Sequence, residues 1–244
     1  MRFNRIVLFI LTLSLISLPL CACRQASAAA TGTDDRVTET ADTKENFVDS
    51  LTFLGDSITA HMQQRAKVRP EQIWAAKNRY LNLDSRITYA KIVAPDTGEE
   101  ETIATVAARL NPRYLVITLG IDYGVYYYRN KPDTFRHYYE KLLSSIEEAS
   151  PDTVLILQSI FPVGRSSVAI TNEMVRNANG IIREIAGARG LAFVDQTPVL
   201  ADDAGFLRPE YCYSNDGIHL TASAYDAILT HLASYEQEIT GDIT

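Results

Sequence analysis

Ser57 lies in the stretch "LTFLGDSITAHM", residues 51–62, where a short apolar run ends in Gly-Asp-Ser and a helix-like pattern begins. A serine or aspartate at such a point can be a helix N-cap. It can also be a nucleophile, which needs a base within hydrogen-bond reach because a hydroxyl alone is weak. The chain offers four histidines as that base: His61, His137, His219 and His231. His137 and His231 fall inside helical patterns, where a solvated or partly packed side chain is the ordinary outcome. His61 stands one helical turn past Ser57. His219 stands in "SNDGIHL", three residues after Asp216. A carboxylate beside an imidazole fixes its tautomer and stabilises the imidazolium formed in catalysis. An Asp-x-x-His turn supplies both groups from one segment, although Asp216-Gly217 can equally be a plain turn with His219 opening a helix.

The elements that would position these groups decide between the readings. "LTFL" is a short buried strand, and "RITYAKIV" (86–93) alternates like a second. "EEETIATVAARL" (99–110) has acidic residues in its first turn and helical spacing. "RYLVITLG" (113–120) is a β-branched apolar run. A helix starting at Pro132 runs to Ser150, and "TVLILQSIF" (153–161) is another buried strand. "NEMVRNANGIIREIAGARG" reads as a helix closed by Gly190, "LAFVD" (191–195) as a fifth strand, and "TASAYDAILTHLASYEQEI" (221–239) as the closing helix. Five apolar strands separated by helices predict a three-layer α/β domain with a five-stranded parallel sheet covered on both faces. Ligands bind such sheets at the carboxyl ends of the strands. Ser57 follows the first strand, Gly98 the second, and Gly120 to Asp122 the third, so all should line one edge. The loop "YCYSNDGIHL" can reach the same edge. This placement favours nucleophilic catalysis over two unrelated turns.

With that order in hand, "FLGDSIT" and "SNDGIHLTASAY" resemble the first and last blocks of the SGNH or GDSL-type esterase and lipase family. The resemblance spans roughly Leu51 to Tyr235 and implies a flavodoxin-like three-layer fold. It implies Ser57 as nucleophile, His219 as base and Asp216 as the acid that orients it. The motif is not the Gly-x-Ser-x-Gly elbow of α/β-hydrolases, because Thr59 stands two residues past Ser57. Family members hold the oxyanion with the nucleophile's own N–H, a glycine N–H after the second strand and an Asn side chain after the third. The resemblance points to Gly98, in "VAPDTGEE", for the glycine; a helix start there would favour anions.

The third block departs from the family pattern. Where Gly-x-Asn-Asp is expected, the chain reads "ITLGIDYGV", with Asp122 in the place of the Asn. An ionised Asp has no donor and repels an oxyanion. Three readings remain open: Asp122 is kept protonated by burial and donates its proton, a backbone N–H substitutes, or the cleft binds without catalysing. On the substrate side, Tyr123, Tyr126, Tyr127 and Tyr128 stand next to the site in sequence. Tyrosine's flat apolar face and polar edge suit sugar rings, though such a cluster can also simply pack a loop. With no long apolar lid, a short-chain or acetyl ester on a small molecule or a glycan is expected. The runner-up is an inactive binding module of the cell envelope. Neither a cofactor nor a metal site is expected.

The ends place the domain. Arg2 and Arg5 precede an apolar run from Ile6 to Leu20, the pattern of an export signal. The run is shorter than the roughly 20 residues of a spanning helix. Leu20-Cys21-Ala22-Cys23 resembles a lipobox, which makes residues 1–22 a lipoprotein-type signal peptide and Cys23 the lipidated residue. Ala26-Ser27-Ala28 would instead suit ordinary cleavage and a secreted protein. Cys212 would then be the one free thiol. Residues 23–46 read as a flexible tether with a reach on the order of 25 Å, and 47–244 as the hydrolase-like domain on the outer face of a bacterial membrane. The formal net charge is −7, more negative once Arg2 and Arg5 leave, which excludes nucleic acid as a partner. The oligomeric state stays open.

Overall fold

The computed structural model describes residues 46–241. The expected signal peptide, Cys23 and nearly all of the expected tether lie outside the described residues. In chain order the strands are β1 (Leu51–Gly55), β2 (Ile73–Trp74), β3 (Lys91–Val93), β4 (Glu100–Thr102), β5 (Tyr114–Thr118), β6 (Val154–Gln158) and β7 (Ala192–Val194). The helices are α1 (Ser57–Arg65), α2 (Ile103–Leu110), α3 (Pro132–Ala149), α4 (Asn172–Arg189), α5 (Thr197–Leu200), α6 (Ala222–Ala233) and α7 (Glu236–Thr240). Five strands form one parallel sheet in the order β2-β1-β5-β6-β7.

The strands are short, continuous apolar runs because both faces are covered. Every residue of the central strand β5 is buried. The long helices each turn one stripe inward: Phe135, Tyr139, Leu142 and Ile146 from α3, and Val175, Ala178, Ile182 and Ile185 from α4, at the three- and four-residue spacing of a packed helix face. Gly190, at φ 67°, ends α4 in the left-handed region.

Three expectations change. The second parallel strand is not 86–93. Ile87–Tyr89 is a 3₁₀ turn, and β3 pairs antiparallel with β4 in a separate hairpin. The edge of the main sheet is instead the two-residue β2, in register with Phe53 and Leu54. The alternation of Ile87 and Ile92 reflects two anchors that are both fully buried, not one strand. Helix α2 also starts later than expected. Glu100–Thr102 is extended, and Thr102 caps the helix by accepting from the Thr105 N–H. Glu101 is drawn outward by Arg109 at 2.6 Å rather than to a helix start. The closing helix breaks at Ser234 and Tyr235 into α6 and α7.

Candidate active site

The site begins where β1 ends. A Cβ on Gly55 would lie 2.2 Å from the Thr118 carbonyl and 2.2 Å from Thr59 Oγ1, so only glycine lets β1 run this close to β5 and turn at once into α1. Asp56 occupies the N-cap position of α1 but makes no side-chain cap. Its Oδ2 instead accepts the N–H groups of Gly120 and Ile121, both at 3.0 Å. That bond ties the two loops after β1 and β5 together. Asp56 is fully buried and its Oδ1 has no partner. Burial, followed by the nearby charge of Asp122, pushes its pKa up to about 7 against the pull of the backbone donors.

Ser57 is the first residue of α1, and Asp122 is wrapped around it. The Ser57 hydroxyl donates to Asp122 Oδ1 at 2.7 Å, and the Ser57 N–H donates to Asp122 Oδ2 at 2.9 Å. One carboxyl group thus holds both the hydroxyl of the expected nucleophile and its N–H. Burial raises the Asp122 pKa; the two Ser57 donors and the charge of His219 pull the other way without cancelling it.

The base arrives from the far end of the chain. His219 Nδ1 lies 2.6 Å from Asp216 Oδ2, and Asp216 Oδ1 accepts the N–H groups of Ile218 and His219. Partial burial works against the Asp216 charge, but the His219 ring and these two N–H donors outweigh it and hold the carboxyl below its ordinary range. The segment is pinned to α1 twice. Arg65 lies over the Tyr213 ring at 3.5 Å, next to the Tyr213 N–H bond to the His219 carbonyl. From α6, the buried Tyr225 hydroxyl donates to the Ile58 carbonyl at 2.7 Å. In this arrangement the Ser57 proton is given to Asp122 rather than to His219.

Two residues around the base carry little sequence signal. His61, one turn after Ser57, meets the His219 ring edge-on at 4.6 Å. Burial first, then His219, Arg65 and Arg79, push its pKa down to about 4, so it is neutral at physiological pH. Arg79 Nη1 lies 3.4 Å from His61 Nε2, and Arg79 holds a left-handed backbone at φ 67°, a strained conformation for a side-chain-bearing residue. The spacing of His61 from Ser57 was visible in the sequence; the approach of Arg79 was not, because it depends on the loop after β2.

Gly98 does not join the site. It is exposed in the turn between β3 and β4, and its N–H is already bonded to the Ala94 carbonyl at 2.8 Å. It therefore has no free donor for an oxyanion, and no helix follows it directly. Tyr123 stacks on Tyr127 with ring centroids 4.0 Å apart, and Arg129 covers the Tyr126 ring at 4.3 Å. These rings mostly serve one another. Among the described residues no group of three or more His, Cys, Asp or Glu side chains could hold a metal ion, and no helix is long and apolar enough to cross a membrane.

The fold is shared with known proteins. A GDSL-like lipase from Bacteroides thetaiotaomicron superposes with a TM-score of 0.51 at 17% identity, over 81% of this chain and 90% of that one. A family 3 carbohydrate esterase from Talaromyces cellulolyticus gives 0.50 at 15% identity, over 80% and 99%. No curated protein matches the sequence closely enough to report. The model of the GDSL-like Lipase/Acylhydrolase family matches residues 53–227, from inside β1 to the middle of α6, which takes in Ser57, Asp122, Asp216 and His219. The chain belongs to the GDSL-like lipase/acylhydrolase family.

Proposed function

We propose that this protein is a serine ester hydrolase for short acyl groups, with acetyl esters of glycans as its substrate class, tethered through a lipid on Cys23 to the outer face of a bacterial membrane. The observation that carries the reading is the Asp216–His219 pair, held at 2.6 Å on a segment tied through Arg65 to α1, the helix that Ser57 opens. In the reaction the Ser57 oxygen attacks the ester carbon while its proton passes to His219. The carbonyl oxygen becomes an oxyanion. The tetrahedral centre then collapses, the alcohol leaves with the proton from His219, and water repeats the sequence on the acyl-enzyme. Asp216 stays ionised throughout and steadies the imidazolium.

Asp122 favours a second reading, a binding module, because it captures both Ser57 donors. The two readings separate under a fluorophosphonate probe and p-nitrophenyl acetate. Labelling and turnover that vanish in Ser57→Ala support the esterase. A wild-type domain that neither labels nor turns over overturns it. For the anchor, Cys23→Ser should release the protein from membranes; a mature N-terminus at Ala29 by mass spectrometry would support secretion instead.

A further inference from the structure

The tyrosines after Asp122 have their faces occupied by Tyr127, Tyr123 and Arg129. A different pair does not. Tyr80 is 60% exposed and Tyr89 is 76% exposed, and neither has a ring or cation against its face among the described residues. Both line one groove of about 410 Å³ in the β2–β4 region. The same groove is lined by Asn78, Asn82, Asp84 and Arg86, planar polar groups that donate and accept hydrogen bonds. Two ion pairs sit within it: Asp84 with Arg86 at 3.4 Å and Glu100 with Lys77 at 3.8 Å. Its carboxylates are thus matched internally, and Lys91 leaves it with a single surplus cation.

The groove is joined to the catalytic residues on two sides. Its inner wall, residues 76–84, bonds to the residue after Asp122 through the Leu83 N–H and the Tyr123 carbonyl at 3.1 Å. The same wall places Arg79 against His61, which touches His219. We infer that the groove bounded by Tyr80 and Tyr89 binds the uncharged, hydroxyl-rich chain of an oligosaccharide, with the tyrosine faces under sugar rings and the Asn, Asp and Arg side chains on the hydroxyls. The composition fits that ligand: flat amphipathic rings with few precisely placed polar groups, and no net field that would select a polyanion. The inference rests on the glycan-ester reading for its link to Ser57, but it concerns binding and can be tested without catalysis.

The test is binding of cellohexaose, xylohexaose and chitohexaose to the exported domain by calorimetry and saturation-transfer NMR. The wild-type protein should bind at least one, with saturation transfer to its sugar protons. Tyr89→Ala, whose ring is almost wholly outside the core, should weaken that binding tenfold or more, and Tyr80→Ala likewise, with unchanged circular dichroism. Hydrolysis of p-nitrophenyl acetate, which is too small to reach the groove, should be the same in all three proteins. If none of the three oligosaccharides binds wild type, or if both tyrosine variants bind as well as wild type, the groove is not a glycan site. A protein that binds the oligosaccharide but does not turn over p-nitrophenyl acetate would leave the groove standing and overturn the esterase reading alone.

Discussion

Two loops each bring a carboxylate to the candidate site, and they treat it in opposite ways. The loop before α6 surrounds Asp216 with donors, the His219 ring and two backbone N–H groups, and keeps it ionised. The loop after β5 buries Asp122 against Ser57 and beside Asp56, and makes its charge costly. The first arrangement suits an acid that must remain an anion to stabilise an imidazolium. The second suits an acid that spends part of the accessible pH range with a proton. A carboxyl group in that state is a hydrogen-bond donor, so the same residue type can be an orienting anion at one end of the site and an oxyanion donor at the other. What differs is the number of donors aimed at each oxygen and the amount of water each retains.

The largest effect expected is at the first loop. His219→Ala should lower kcat for a short ester by about 10⁴-fold or more, and Asp216→Asn by a comparable factor, because the members of such a unit act together. Circular dichroism should be unchanged, since both side chains lie at the surface end of the fold. Activity within tenfold of wild type in His219→Ala would make Asp122, the group that holds the Ser57 proton in the structure, the base.

Asp122→Asn addresses the other half of the comparison. Asp122 has a raised pKa, so its acid form persists above the usual carboxylate range and disappears as pH rises through that value. Its usefulness as a donor therefore belongs to the acid side of the profile. An amide donates at every pH. Asp122→Asn should raise kcat about tenfold or more, within the worth of one oxyanion donor, and flatten the alkaline limb. An unchanged pH–rate profile with equal or lower kcat would remove Asp122 from the oxyanion hole.

The two family blocks, around Ser57 and around Asp216 and His219, were legible in the sequence because each is short and local. Asp216 and His219 need only a three-residue turn, and Ser57 needs only the end of an apolar strand. Strands β1, β5, β6 and β7 were equally plain, as runs buried on both faces. What stayed hidden depends on distant chain. Strand β2 has two residues and no periodicity, and it exists because Phe53 and Leu54 offer it an edge. The hairpin of β3 and β4 was masked by alternation that matched a parallel strand. Its turn carries Asp96, which Arg109 holds at 2.8 Å from α2, thirteen residues away. Arg79 reaches His61 only because the loop between β2 and β3 folds back over α1. The exposed Tyr80 and Tyr89 had no local signal that set them apart from the better-clustered tyrosines at 123–128.

A smaller effect is expected from the buried partner, Asp56. Its folded pKa of about 7 lies well above the 3.8 of an ordinary aspartate. Between those values the folded chain holds a proton that the unfolded chain has lost. The contribution of Asp56 to stability is therefore fullest below the unfolded value and declines as pH rises toward 7. Asp56→Asn keeps an acceptor for the Gly120 and Ile121 N–H groups and has no such titration. The difference in Tm between wild type and variant should shift in favour of the variant as pH is raised from 4 to 7. A difference independent of pH would mean that Asp56 does not titrate in the folded protein, and that burial and the Asp122 charge do not raise it.

The smallest effect is expected at Gly98, where the comparison can be sharpened most cheaply. If a glycine N–H helped to hold the oxyanion, Asp122 would be one donor among three, and its replacement would matter less. The structure places Gly98 in a hairpin turn with its N–H committed to the Ala94 carbonyl. An added methyl group would meet nothing within 4 Å. The only penalty of Gly98→Ala is then conformational, because φ is +75°, in the left-handed region that costs a side-chain-bearing residue roughly 1–2 kcal/mol. The variant should lose about 1 kcal/mol of stability by urea denaturation, near the lower end of that range, and its kcat on p-nitrophenyl acetate should stay within about twofold of wild type, since no donor to the reaction is disturbed. A hundredfold fall in kcat at unchanged stability would return Gly98 to the oxyanion hole. It would also mean that the hairpin rearranges when substrate binds, freeing the N–H from Ala94.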